Sequence, residues 1–115
     1  MITWKNITNI QELEDAISAS YPKNILIFKH STRCIVSKTV LRNFEGDSTE
    51  TANEKMDFYF LDLIAHRDIS NEIARRFMVE HQSPQILYIS KGKSVYNTSH
   101  DDIDFKQLNN LEIKA

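Results

Sequence analysis

The chain has one cysteine, two prolines and two glycines in 115 residues. A lone cysteine forms no intrachain disulfide, so the cross-linked framework of a small secreted domain is excluded, and any disulfide must join Cys34 to another molecule. The few glycines and prolines do not cluster, which leaves no linker, low-complexity tract or repeat. No run reaches the 18 or so apolar residues of a membrane span, and Met1-Ile2-Thr3-Trp4-Lys5-Asn6 lacks the basic-then-apolar pattern of a secretory signal. A cytoplasmic protein with a reduced thiol is therefore expected. Charge of one sign is lacking too: the net charge is −2 with both signs interspersed, so there is no field to attract nucleic acid or an anionic membrane surface. What is present, 41% hydrophobic and 26% charged residues, suits one globular domain over residues 1–115.

The apolar pattern alternates between two periods. Leu13, Ala16, Ile17 and Ser20 share one helical face with Ile10 a turn earlier, and Thr8 or Asn9 can cap that helix. Tyr21-Pro22-Lys23-Asn24 breaks it, and Ile25-Leu26-Ile27-Phe28 follows as a continuous apolar run, the mark of a strand covered on both faces. Val36, Val40, Leu41 and Phe44 return to helical spacing, which ends near Glu45-Gly46-Asp47-Ser48, with Thr51 to Lys55 able to add a turn. Met56 to Leu63 reads as a strand, His66-Arg67-Asp68 as a loop, and Ile69, Ile73, Ala74, Phe77 and Met78 as a third helix. Gln85 to Ser90 and Ser94 to Thr98 flank Lys91-Gly92-Lys93 as a hairpin, and a last helix is expected from about Asp101 to Leu111, burying Ile103, Phe105, Leu108 and Leu111. This order describes an α/β fold: a partly parallel sheet of four to five strands with an antiparallel edge and helices on both faces.

Cys34 lies just past the strand ending at Phe28-Lys29-His30, in the expected first turn of the second helix. A helix start offers unpaired backbone N–H groups and the positive end of the helix dipole, which together favour thiolate over thiol. The thiolate is the nucleophile of disulfide exchange. Free cysteine is also commonly a small buried hydrophobe, and a thiol used only for packing would leave a binding module whose cysteine is incidental.

Two segments carry a resemblance. Ser31-Thr32-Arg33-Cys34-Ile35-Val36-Ser37 follows a strand, and His81-Gln82-Ser83-Pro84-Gln85 enters one; together they resemble the thioredoxin fold and, more narrowly, the YtxJ-like monothiol bacilliredoxins. In that family the first segment reads approximately Thr-x-Cys-Pro-Ile-Ser and the second His-x-Ser-Pro-Gln, matched here at Thr32, Cys34, Ser37, His81, Ser83, Pro84 and Gln85. Ile35 stands where the family has proline, which restores a backbone N–H and loosens the turn. The resemblance implies a three-layer thioredoxin-like fold and attack by Cys34 on mixed disulfides between proteins and a low-molecular-weight thiol such as bacillithiol. S-thiolated proteins are then the partners, the small thiol the co-substrate, and no bound cofactor is expected.

Ser37, one helical turn on, occupies the place where dithiol relatives carry a resolving cysteine. Its hydroxyl is expected to donate to the thiolate and cannot displace it, so the adduct must be resolved by a second thiol. Pro84 is expected to follow a cis bond, with the backbone of Ser83 facing the sulfur and binding extended substrate; an isolated proline opening a strand is otherwise usually trans. Thr32, Arg33 and Ile35 are expected to flank the sulfur and touch what binds there. Lys29 and His30 bring positive charge for tuning the thiol, although a solvated strand end is the simpler account of Lys29. His66 and His100 read as loop residues, and His81 as a substrate contact or a satisfied surface group. One cysteine and four scattered histidines give no close ligand spacing, so no metal site is expected, and a glutaredoxin-like iron–sulfur carrier is disfavoured by the bulk of Ile35. Trp4 and the six phenylalanines are assigned to the core.

Overall fold

A strand that is apolar at every position must be covered on both faces, and Ile25–His30 (β2) is buried at all six residues. In the computed structural model, which describes residues 2–108, β2 is the centre of a five-stranded sheet ordered β1-β3-β2-β4-β5. Its neighbours are β1 (Trp4–Asn6), β3 (Asp57–Asp62), β4 (Gln85–Ser90) and β5 (Lys93–Ser99). β1 and β2 run parallel to β3, while β4 is antiparallel to β2 and to β5. The helices are α1 (Ile10–Ala19), α2 (Ile35–Gly46), α3 (Ala52–Lys55) and α4 (Arg67–Phe77). Among the described residues no helix is long and apolar enough to cross a membrane.

Successive residues of β2 serve opposite layers. Leu26 and Phe28 pack with Val40 and Phe44 of α2 and with Met56 and Phe105. Ile25 and Ile27 face Leu13 and Ala16 of α1 and Ile69 and Ile73 of α4. Trp4 is half-buried, and its ring meets Phe28, Phe44, Phe58 and Phe60 with centroids 5.8–6.3 Å apart. The β4–β5 hairpin turns through Lys91 (φ 50) and Gly92 (φ 76), the pair of positive angles of a type I′ turn. A Cβ at Gly92 would stand 2.7 Å from the hydroxyl of Tyr21, the tip of an exposed side chain that can give way, so it is the positive φ that favours glycine there.

Asn9 is the cap of α1, its Oδ1 accepting the Glu12 N–H at 2.8 Å. The extra turn at Thr51 to Lys55 is a separate helix, α3. α4 begins at Arg67, within the segment expected to be loop. Over the described part of the helix expected from Asp101 to Leu111, the chain forms two 3-10 turns, His100–Asp102 and Phe105–Gln107, with helical backbone at Leu108. Ile103, Phe105 and Leu108 are buried as expected, but their uneven spacing does not fit one α-helical stripe. Leu111 lies outside the described residues.

Candidate active site around Cys34

Register fixes where the site is. Lys29 of β2 pairs with Gln85 of β4 in antiparallel sense, so the chain leaving β2 toward Cys34 and the chain entering β4 through Ser83 and Pro84 emerge at the same end of the sheet. The Ser83–Pro84 peptide bond is cis. The Ser83 hydroxyl oxygen is buried and has no hydrogen-bond partner among the described residues.

Cys34 is the N-cap of α2, not a member of its first turn, with extended backbone angles (φ −110, ψ 120). Its N–H donates to the Ser31 carbonyl at 3.2 Å, and its carbonyl accepts the first helical bond, from Lys38 N–H at 3.1 Å. An N-cap side chain lies over the amides of the first turn, where the positive end of the dipole is concentrated. The thiol is half-buried and makes no capping bond. Thr32, Arg33 and Ile35 flank it and are exposed, Ile35 at 79%.

Ser37 departs from its expected role. It is fully buried, and its Oγ accepts the Ser31 N–H at 3.1 Å and meets His30 Nδ1 at 2.7 Å. Burial, the largest influence, holds His30 below the ordinary histidine range, so the ring is neutral at pH 7. The Ser37 oxygen is thus engaged by both the Ser31 N–H and the His30 ring. Ser37 therefore braces the loop before Cys34 instead of donating to the sulfur. His30, packed beside Phe28 and Phe60, is a neutral strut and not a cationic neighbour of the thiolate. Ser37→Ala leaves the buried Ser31 N–H without an acceptor, and a loss of about 1–3 kcal/mol is expected in urea melts.

Lys29 is not a solvated strand end either. It continues the Ile25, Ile27 series into the layer of α1 and α4 and is fully buried. Its Nζ donates to the Ser70 carbonyl at 3.2 Å and lies 3.3 Å from His81 Nδ1. Its side chain is thus on the sheet face opposite His30 and α2. Burial pushes the ammonium down to about 8.

Two features escaped the sequence reading. Val36, which shares the helical spacing of Val40 and Phe44, is half-exposed and lines a groove of about 570 Å³ with Ile35, Thr39, Asn43, His100 and Asp101. His100 closes that groove with φ 56, and its N–H donates to the Pro84 carbonyl at 2.9 Å. A histidine after a strand carries a weak sequence signal for a left-handed turn, since His is among the residues that tolerate it. Among the described residues no cluster of three or more His, Cys, Asp or Glu could hold a metal ion.

Residues 5–108 match the model of a protein family described as monothiol bacilliredoxin BrxC. A solved structure described as a candidate oxidoreductase with a thioredoxin fold is 30% identical, with 95% of this chain and 93% of that one covered and a TM-score of 0.80. Thioredoxin from Malassezia sympodialis (Mala s 13) is 18% identical over 99% of this chain and 91% of its own, with a TM-score of 0.76. Fasciola hepatica thioredoxin is also 18% identical, over 96% and 97%, with a TM-score of 0.68. The five-stranded mixed sheet with its helices is accordingly a thioredoxin fold.

Proposed function

The chain belongs to the monothiol bacilliredoxin family, a family of thiol redox proteins, and from that premise we propose that it removes bacillithiol from S-thiolated proteins by exchange at Cys34. The observation that carries this reading is the placement of the chain's one thiol, partly accessible at the N-cap of a 12-residue helix, with a fully buried serine at the resolving position. The Cys34 thiolate attacks the bacillithiol sulfur of a protein mixed disulfide, a new S–S bond forms and the old one breaks. The electron pair of the old bond leaves on the protein sulfur, which takes a proton from solvent. A second small-thiol thiolate then attacks the Cys34 adduct, releasing the small-molecule disulfide and restoring Cys34. Two steps are obligatory because Ser37 carries no thiol.

The apolar groove beginning at Ile35 supports a protein substrate: it offers an adjacent client segment a surface lined by Ile35, Val36 and Ile103 and by no lysine or arginine. We place the reaction in the cytoplasm, where a pool of reduced small thiol can complete the cycle.

The test incubates the reduced protein with bacillithiol disulfide and with glutathione disulfide and follows Cys34 by intact mass. A one-to-one bacillithiol adduct forming at least about tenfold faster than the glutathione adduct, and reversed by free bacillithiol, is the expected result. Equal rates for both disulfides would remove the assignment of the small thiol, and no adduct with either would remove the exchange reading itself.

A further inference from the structure

A buried ammonium with no carboxylate partner is expensive to keep: desolvation opposes it by several kcal/mol, and an apolar side chain of similar length would fill the same space. Lys29 is such a group. None of the ion pairs among the described residues involves it, and its contacts are the Ser70 carbonyl and His81 Nδ1. Its sheet neighbours, Leu61 on β3 and Gln85 on β4, are uncharged. Burial also holds His81 low, with smaller contributions from Lys29 and Arg67 in the same direction, so its neutral Nδ1 is an acceptor for the Lys29 proton.

What these contacts hold is the segment between α4 and β4. That stretch, 79–84, has no helix or strand of its own and ends in the cis Ser83–Pro84 bond. Gln85, directly opposite Lys29 in the sheet, gives its Nε2–H to the Glu80 carbonyl at 3.0 Å. Two side chains facing each other across β2 and β4 therefore both end on one irregular segment. His81 Nδ1 also lies 3.3 Å from the Ser70 hydroxyl, which ties the same point to α4.

We propose that Lys29 is a positioning residue whose buried ammonium, through His81, holds residues 79–84 so that Ser83 faces a disulfide engaged at Cys34. This rests on the exchange reading for its consequence in rate, and on the geometry alone for its consequence in loop order. The side chain is retained for the segment it fixes rather than for stability. Above about pH 8 the amine loses its charge, and a neutral donor holds His81 less firmly.

The experiment uses the full chain with Lys29→Met. Its melting temperature is expected to be no lower than that of the parent, because a buried charge is exchanged for an apolar chain. Alkylation of Cys34 by iodoacetamide, which needs no substrate-binding segment, is expected to stay unchanged. The 15N order parameters of His81, Gln82 and Ser83 are expected to fall from about 0.85 to below roughly 0.6. The rate of exchange with a bacillithiolated peptide is expected to fall by at least about tenfold, the loss of one charge-assisted hydrogen bond. The ratio of parent to variant exchange rates is expected to decline as pH rises through about 8. Should Lys29→Met not fold, His81→Leu cuts the same link from the loop side, and His81→Asn, whose side-chain oxygen replaces the Nδ1 acceptor, is expected to restore loop order. Unchanged order parameters in Lys29→Met, or in His81→Leu where that variant is used, overturn the proposal. Disordered loop amides in a protein whose parent reacts with no disulfide would uphold the tether and reject the exchange reading.

Discussion

Cys34→Ala is expected to lower exchange with a bacillithiolated peptide by on the order of a thousandfold or more, down to the uncatalysed rate between the peptide and free small thiol. No other side chain can substitute. The chain has no second thiol, and the nearest hydroxyl in sequence on α2, Ser37, is fully buried with its oxygen shared between Ser31 N–H and His30. Cys34→Ser is expected to be equally inactive, since a hydroxyl is not ionised near neutral pH. Cys34 is half-buried, and its backbone angles at the N-cap are ordinary extended ones, so both variants are expected to melt close to the parent. Single-turnover kinetics followed by intact mass, with thermal melts alongside, separate loss of chemistry from loss of fold. Residual exchange within tenfold of the parent would mean that Cys34 is not the nucleophile.

Phe44→Ala is expected to have the largest effect on stability, a loss of about 3–5 kcal/mol that appears as a fall of roughly 12–20 °C in melting temperature. Phe44 is fully buried on the inner face of α2, with ring centroids 5.6 Å from Phe28, 6.4 Å from Phe58 and 5.3 Å from Phe105. Truncation removes transfer free energy, leaves a cavity and breaks edge-to-face pairs worth about 0.5–1.5 kcal/mol each. It also unseats α2, the helix that carries Cys34 at its start, from both the central strand and the C-terminal 3-10 turn. Ile35→Ala, at a 79% exposed position, is the control and is expected to stay within about 0.5 kcal/mol. Urea melts of the two variants check the contrast; a Phe44→Ala loss below about 1 kcal/mol would mean that the cluster collapses around the gap.

The elements were largely legible from period alone. Ile25–Phe28 announces a strand covered on both faces because no position in it is polar, and Leu13, Ala16, Ile69 and Ile73 announce helix faces because 3.6-residue spacing brings them to one side. In the C-terminal segment expected as one helix, Ile103, Phe105 and Leu108 are apolar but unevenly spaced, and over residues 101–107 that spacing goes with short 3-10 turns that fill the same cluster. Val36 fits the same stripe as Val40 and Phe44, yet it is half-exposed because the 3-10 turn beside α2 leaves a groove there instead of a lid.

For the site, local signals located the candidate nucleophile and distant contacts assigned its surroundings. That Cys34 starts a helix and that Ser37 lies one turn on follow from covalent spacing, which sets what is near what over a few residues, and that the chain has one thiol follows from composition. Lys29 looked solvated beside His30 and Ser31 because only the sheet order, with β4 and β3 on either side and α4 above, seals it from water. Its partners Ser70 and His81 are 41 and 52 residues away in the chain, and His30 turns from a candidate charge into a neutral strut only once Phe60 and Ser37 enclose it. The amino-acid order by itself thus determined the elements, the one usable thiol and its place at a helix start, since these depend on periodicity and on composition. Tertiary structure alone decided which polar groups are buried, which way their hydrogen bonds run and which apolar residues remain exposed beside the sulfur, because burial and pairing arise from surfaces that only chain packing brings together.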